Sequence, residues 1–195
     1  MIIFEDKNIH QNSLYPDTDW TGEAKWVIPD SNTQLCTKAL EYCPNFDVIT
    51  DDENNVINIV KTAPDLSAVI STKLYELSNS CEQTIIGGFD YHSNHYSLKI
   101  NDQLNIEALK SSITDSTVAV PYHADGELCR LYSLDEFLEL YSLASYHKMY
   151  HTTYFNQLKD MIRRMTDKDT VNECYYGMSL DDEHEANLKE LLGIT

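Results

Sequence analysis

Two histidines four residues apart, His147 and His151, are the pair in this sequence most suggestive of chemistry. Residues at i and i+4 share one face of a helix, and two imidazoles so placed are the beginning of a zinc site. A zincin-type helix also needs a glutamate directly after the first histidine to activate the metal-bound water. Lys148 stands there instead, and no third ligand is evident, so a metal-dependent hydrolase built on this pair lacks its general base and no metal or cofactor is expected. His92 and His95 fall in a predicted turn and His123 beside an Asp-Gly turn, where exposed side chains are the ordinary outcome. The pair Gly87-Gly88 leads into a strand and not a helix, which is the wrong order for a phosphate cradle, and no serine stands in a nucleophile-elbow motif. With 32 acidic residues no particular carboxylate pair is informative. No catalytic residue is assigned, and the chain is expected not to be an enzyme.

The 13 tyrosines carry more information. Tyr141, Tyr146, Tyr150 and Tyr154 crowd the same segment as the two histidines, and tyrosine offers interfaces a large rigid contact area with a polar tip. Tyr141, His147, Tyr150, His151, Tyr154 and Phe155 are therefore expected to bind a partner protein, against the alternative of half-buried packing within the fold. The element that must position them runs from Ser133 to about Met165. Ser133 followed by Glu136 is a capping-box pattern, and Asp135 adds negative charge where the helix dipole favours it. Leu134, Phe137, Leu138, Tyr141, Ala144, His151, Phe155, Leu158, Ile162 and Met165 recur at three- and four-residue steps, and no Gly or Pro interrupts them. At about 1.5 Å per residue the helix spans about 48 Å. A second line of Leu140, Leu143, Tyr150 and Tyr154 makes it apolar on more than one side. It is expected to be covered by its own domain and by a second helix or another subunit.

Around that helix the chain reads as short elements. Residues 1–30 are expected to be an irregular arm, with a turn-rich link at Tyr15–Trp20 and a short strand at Trp26–Ile28. Ser31 or Asn32 can cap a helix from Thr33 to Tyr42 with Leu35, Ala39 and Leu40 as its apolar stripe. Phe46–Thr50 and Val56–Val60 predict a hairpin across Asp51–Asn55. Pro64-Asp65 opens a helix of about 14 residues that frays near Ser78–Ser80. Phe89–Tyr91 and Tyr96–Ile100 form a second hairpin, a short helix capped by Asn101 or Asp102 follows, and Val118–Tyr122 with Leu128–Tyr132 form a third hairpin around Asp125-Gly126. Past the long helix, Asp167–Asp169 is a solvated break and Tyr175–Gly177 a turn. A last helix runs from about Leu180 to Leu192, with Gly193 as its stop.

Composition narrows the function classes. A net charge of −18, from 32 Asp plus Glu against 14 Lys plus Arg, argues against binding nucleic acid by phosphate neutralisation. It suits a well-solvated surface or a basic partner, including an acidic inhibitor that occupies the nucleic-acid channel of a host defence protein. No apolar run of membrane-spanning length occurs, and the N-terminus lacks a basic-then-apolar signal layout, so a soluble protein made in the cytoplasm is expected, without membrane contact. Five widely spaced cysteines without a C-x-x-C pair are expected as reduced, mostly buried thiols.

The run from Val120 to Ile162, VPYHADGELCRLYSLDEFLELYSLASYHKMYHTTYFNQLKDMI, resembles the C-terminal region of phage and prophage tail-module proteins encoded near tail-fibre genes. In these a hairpin with an Asp-Gly turn leads into a helix that is Leu-rich first and His/Tyr-rich later. The stretch WVIPDSNTQL and the FDVIT–VINIVKTAPDL arrangement are similar to small proteins of Gram-positive prophage tail modules. The resemblance implies no catalytic residues. It implies a virion tail or baseplate part that contacts tail-fibre or baseplate proteins, or else an assembly chaperone for the fibre, made in the host bacterial cytoplasm. The fold expected is α+β: a small N-terminal helix-and-hairpin unit with its connecting helix over residues 1–82, then antiparallel hairpins with the long helix and a short terminal helix over 83–195. Self-association through the long helix is a further expectation.

Overall fold

A computed structural model describes residues 1–4, 7, 9–10, 25–114 and 119–194, and the fold is α+β. The turn-rich link at Tyr15–Trp20 and Val118 of the third hairpin lie outside the described residues. The chain divides into two compact units, Met1–Asp65 and Leu66–Thr195. The division thus falls before the connecting helix, not after it at 82/83, because that helix buries Leu77 and Cys81 in the second unit.

In the first unit, β1 (Ile2–Ile3) is the centre of a three-stranded antiparallel sheet between β2 (Ile9–His10) and β3 (Trp26–Val27). The opening residues are therefore pinned into a sheet and not irregular, and Ile2, Ile3 and Ile28 are fully buried. Helix α1 (Thr33–Tyr42) starts where Asn32 accepts the Leu35 amide and buries Leu35 and Ala39, whereas Leu40 is exposed. The hairpin of β4 (Phe46–Thr50) and β5 (Val56–Lys61) packs Phe46 and Ile59 against that stripe. Asp51 closes its turn by accepting from the amides of Glu53 and Asn55.

The second unit begins with α2 (Leu66–Gly87), which is 22 residues long and does not fray at Ser78–Ser80. Hydroxyls that compete with a helix in isolation are satisfied inside this one, Ser80 donating to the Glu76 carbonyl at 3.2 Å and Thr84 to Ser80 at 2.8 Å. Gly88 then turns the chain at φ +78°, against the backbone of Tyr96. The strands β6 (Phe89–Tyr91) and β7 (Asn94–Tyr96) follow as an antiparallel hairpin, with His92 and Ser93 both at positive φ in its two-residue turn. The second strand ends at Tyr96, before Leu98 and Ile100. Helix α3 (Ile100–Ser112) starts earlier than Asn101, and Asp102 in its first turn accepts the Lys99 amide. Beyond it β8 (Val120–Tyr122) pairs with β9 (Arg130–Tyr132).

The long helix α4 (Leu134–Arg163) is capped by Ser133, whose hydroxyl accepts the Glu136 amide. The Glu136 carboxylate in turn faces the Ser133 backbone amide, and it also takes both ends of the Arg130 guanidinium, at 2.5 and 3.3 Å, which ties β9 to the first helical turn. Asp167, expected in a solvated break, instead caps a short helix, α5 (Lys168–Glu173). Helix α6 (Asp182–Leu192) is capped by Asp181 and stops at Gly193 in the left-handed region.

Along α4 the unit has two cores. Phe137, Leu140 and Ala144 pack with Tyr91, Tyr96, Ile106 and Tyr132 from the two hairpins and α3. Tyr154, Leu158, Met161 and Ile162 pack with Leu77 of α2, Val171 of α5 and Leu188 of α6. Full burial of a leucine, isoleucine or phenylalanine stabilises by about 1.5–3 kcal/mol, so Phe137, Leu140, Leu158 and Ile162 are the principal anchors. The several apolar sides of the helix are met by α2, α3 and α6 of the same chain.

Candidate functional site

The middle of α4 holds the aromatic segment against α2 and against the loop that links α5 to α6. His147 and His151 do meet, with ring centroids 4.5 Å apart, as their spacing requires. One nitrogen of each ring is engaged by the fold: His147 Nε2 donates to the Thr84 carbonyl at 3.1 Å, and His151 Nδ1 shares a hydrogen bond of 3.0 Å with the Tyr176 hydroxyl. Burial, followed by the neighbouring His147, pushes the His151 imidazole below its usual range, which keeps it neutral at pH 7. Cys81 on α2 closes this cluster by donating to the His151 carbonyl at 3.4 Å, and burial raises its thiol above the usual value, the opposite of a reactive thiolate. Among the described residues, no group of three or more His, Cys, Asp or Glu side chains gathers as a metal site.

On the other side of this cluster is a cleft of about 480 Å³ between α4, the loop at 176–180 and α6. Its walls are aromatic. Tyr150 and Tyr154 stack at 6.4 Å with 9° between planes, and Tyr176 meets Tyr154 edge-on at 5.3 Å. Tyr154 fixes the loop, donating to the Met178 carbonyl at 2.7 Å and accepting the Gly177 amide at 3.1 Å. Met178, Leu180 and Leu188 add apolar lining, and Glu185 brings a carboxylate.

Of the six residues expected to bind a partner, the structure brings Tyr150, His151 and Tyr154 together in this cleft. His147 lies behind them against α2. Tyr141 belongs with the first core and donates to the Glu107 carboxylate at 3.2 Å, while Phe155 packs into the second core with Lys159 Nζ 5.6 Å from its ring centre. Tyr176, Met178, Leu180, Glu185 and Leu188 were not legible as lining. The one signal was the Tyr175–Gly177 turn, which reads as punctuation until the loop is folded back on α4.

Three further histidines are placed by the hairpins of the second unit. His92 and His123 are exposed. His95 bonds Asp90 at 2.7 Å and the Gly87 carbonyl at 2.6 Å; the bond to Asp90 and then that to Gly87 hold its imidazole above its usual range. All five cysteines are free, but only Cys81 and Cys174 are buried; Cys43 and Cys129 face solvent, so the expectation of mostly buried thiols holds for two of them.

Fold and site together describe a small α+β protein whose second unit strings hairpins and short helices along one long helix and leaves an aromatic cleft beside it. Residues 68–173, more than half of the chain, match the family described as Domain of unknown function (DUF4376), and the chain belongs to that family. The matched span takes in nearly all of α2 and continues through α5, while the α6 side of the cleft follows it. No curated protein and no solved structure matches the chain.

Proposed function

We propose that this protein is a non-enzymatic component of a phage or phage-like tail, at the baseplate or the tail-fibre attachment, and that it works by binding other proteins. The observation that carries the binding role is the tyrosine-walled cleft beside α4, whose shape is fixed by the bonds of Tyr154 to the 177–178 backbone. Rigid aromatic walls with an apolar floor suit anchoring side chains of a partner protein. A row on another part of α4, Leu143, Tyr146 and Met149, is exposed and offers a second contact for self-association or docking. The assignment to a tail rests on the resemblance of the Val120–Ile162 run to tail-module proteins.

The test is light scattering of the purified protein, alone and mixed with the tail-fibre protein encoded beside it, together with detection of the chain in purified particles. A complex that persists into mature particles supports the proposal. Binding to free fibre subunits without incorporation makes the protein an assembly chaperone instead. A monomer that ignores the fibre and binds a basic host protein in a strongly salt-sensitive way replaces the tail reading by that of an acidic inhibitor.

A further inference from the structure

The cleft beside α4 also specifies what enters it. Its walls are the faces and edges of Tyr150, Tyr154 and Tyr176, and aromatic faces attract cations through the ring quadrupole. The one carboxylate among its lining residues is that of Glu185, on α6. His151 is held neutral there and contributes no competing positive charge. The chain around the cleft is acidic as well: the first turn of α6 carries Asp182, Glu183 and Glu185, and the whole protein has a net charge of −18. Glu185 is paired with Lys189 at 3.3 Å, an i,i+4 contact with both side chains about half exposed. So exposed a pair contributes little to stability, and a ligand cation can displace Lys189 with little loss.

We infer that the cleft is a receptor for an arginine side chain presented by a basic segment of the partner protein. The planar guanidinium lies along a tyrosine face while its N–H fork engages the Glu185 carboxylate, and the aliphatic stem packs on Met178 and Leu188. A lysine would supply charge without the fork or the flat stacking surface, and an acidic or uncharged segment would leave Glu185 to its exposed pair with Lys189 and gain nothing from it. This inference deepens the protein-binding reading of the same site and rests on it.

The probe is a short acetylated and amidated peptide with one central arginine flanked by leucines, titrated into the full chain and followed by backbone amide NMR. Its counterparts carry lysine, citrulline or glutamate at the same place. The arginine peptide is expected to shift Tyr150, Gly177 and Glu185 and to bind about tenfold more tightly than the citrulline peptide, with affinity falling as salt rises. Glu185→Gln, an exposed change whose folding is checked by circular dichroism, is expected to erase that preference, and Glu185→Lys to transfer it to the glutamate peptide. Equal binding of arginine and citrulline peptides, shifts remote from the cleft, or an unchanged preference in Glu185→Gln would each overturn the inference. Arginine selectivity at the cleft without any complex with the tail-fibre protein would sustain the inference and remove the tail assignment. A fibre complex unaffected by Glu185→Lys would do the reverse.

Discussion

His184 Nε2 lies 3.1 Å from Asp160 Oδ2, so a buried imidazole on α6 is bonded to a carboxylate on α4. Asp181, the cap of α6, bonds its Nδ1 at 2.7 Å, and Arg164 links Asp160 to Glu183. A histidine with a carboxylate on each nitrogen fastens the last helix to the long one.

That relationship sets a pH dependence. Burial alone would lower the His184 imidazole, but its bonds to Asp181 and Asp160 outweigh that, with Arg164 opposing, and the net shift is upward. The folded chain therefore holds this proton more tightly than the unfolded chain. The stabilisation is full below the ordinary histidine value near 6.5 and is lost as pH rises through the raised folded value. Asp160 and Asp181 are both held below the usual carboxylate range, chiefly by bonds to His184, so their contribution is present above about pH 4 and lost as pH falls through their folded values. Urea unfolding of the wild type and His184→Gln from pH 4 to 9 should show a gap of about 1–2 kcal/mol near pH 5–6 that narrows above neutrality. A gap independent of pH would refute the charged clamp.

Gly88 has φ +78°, and a Cβ there would lie 1.9 Å from the Tyr96 carbonyl oxygen. Gly126 has nearly the same φ, +76°, with open space around the position. Gly126→Ala should cost about 1–2 kcal/mol for conformation alone. Gly88→Ala should cost about 3 kcal/mol or more, since the β7 backbone must move as well. Comparison of the two denaturation midpoints separates contact from conformation.

Tyr154→Phe removes a buried hydroxyl that serves both the Met178 carbonyl and the Gly177 amide. The loss should be about 1–3 kcal/mol, with faster hydrogen exchange at Gly177 and weaker binding at the cleft. Unchanged exchange at Gly177 would show that Tyr154 does not hold the loop.

Leu158 and Tyr146 sit on the same helix with opposite surroundings, the first fully buried and the second 43% exposed. Leu158→Ala should destabilise by about 3 kcal/mol through the cavity it leaves. Tyr146→Asp should leave the unfolding midpoint within about 0.5 kcal/mol of wild type. It should also weaken any complex that uses the exposed row of α4, which light scattering with the fibre protein reads directly.

Several features were written in local sequence. Helix α1 has the bounds expected of it, Thr33 to Tyr42, because an asparagine cap and an interrupting proline act within a turn of the chain. The Ser133 cap of α4 and the Gly193 stop of α6 are legible for the same reason. Asp125-Gly126 announced its turn, and the three hairpins follow from β-rich runs separated by turn residues. The i,i+4 spacing of His147 and His151 put both rings on one face of the helix, where they meet.

Tertiary structure decided the rest, because it depends on groups far apart in the chain. Helix α2 runs through Ser78–Ser80 since burial of Leu77 and Cys81 against α4 outweighs a local sequence that favours fraying. The two apolar sides of α4 read equally well as a subunit interface, and only the folded chain puts α2 and α6 on them. The cleft needed all of this at once. Tyr150 and Tyr154 become its walls only when Tyr176 and Glu185, a loop and a helix later, fold back over them, and no periodicity or cap records a contact between residues 25 positions apart.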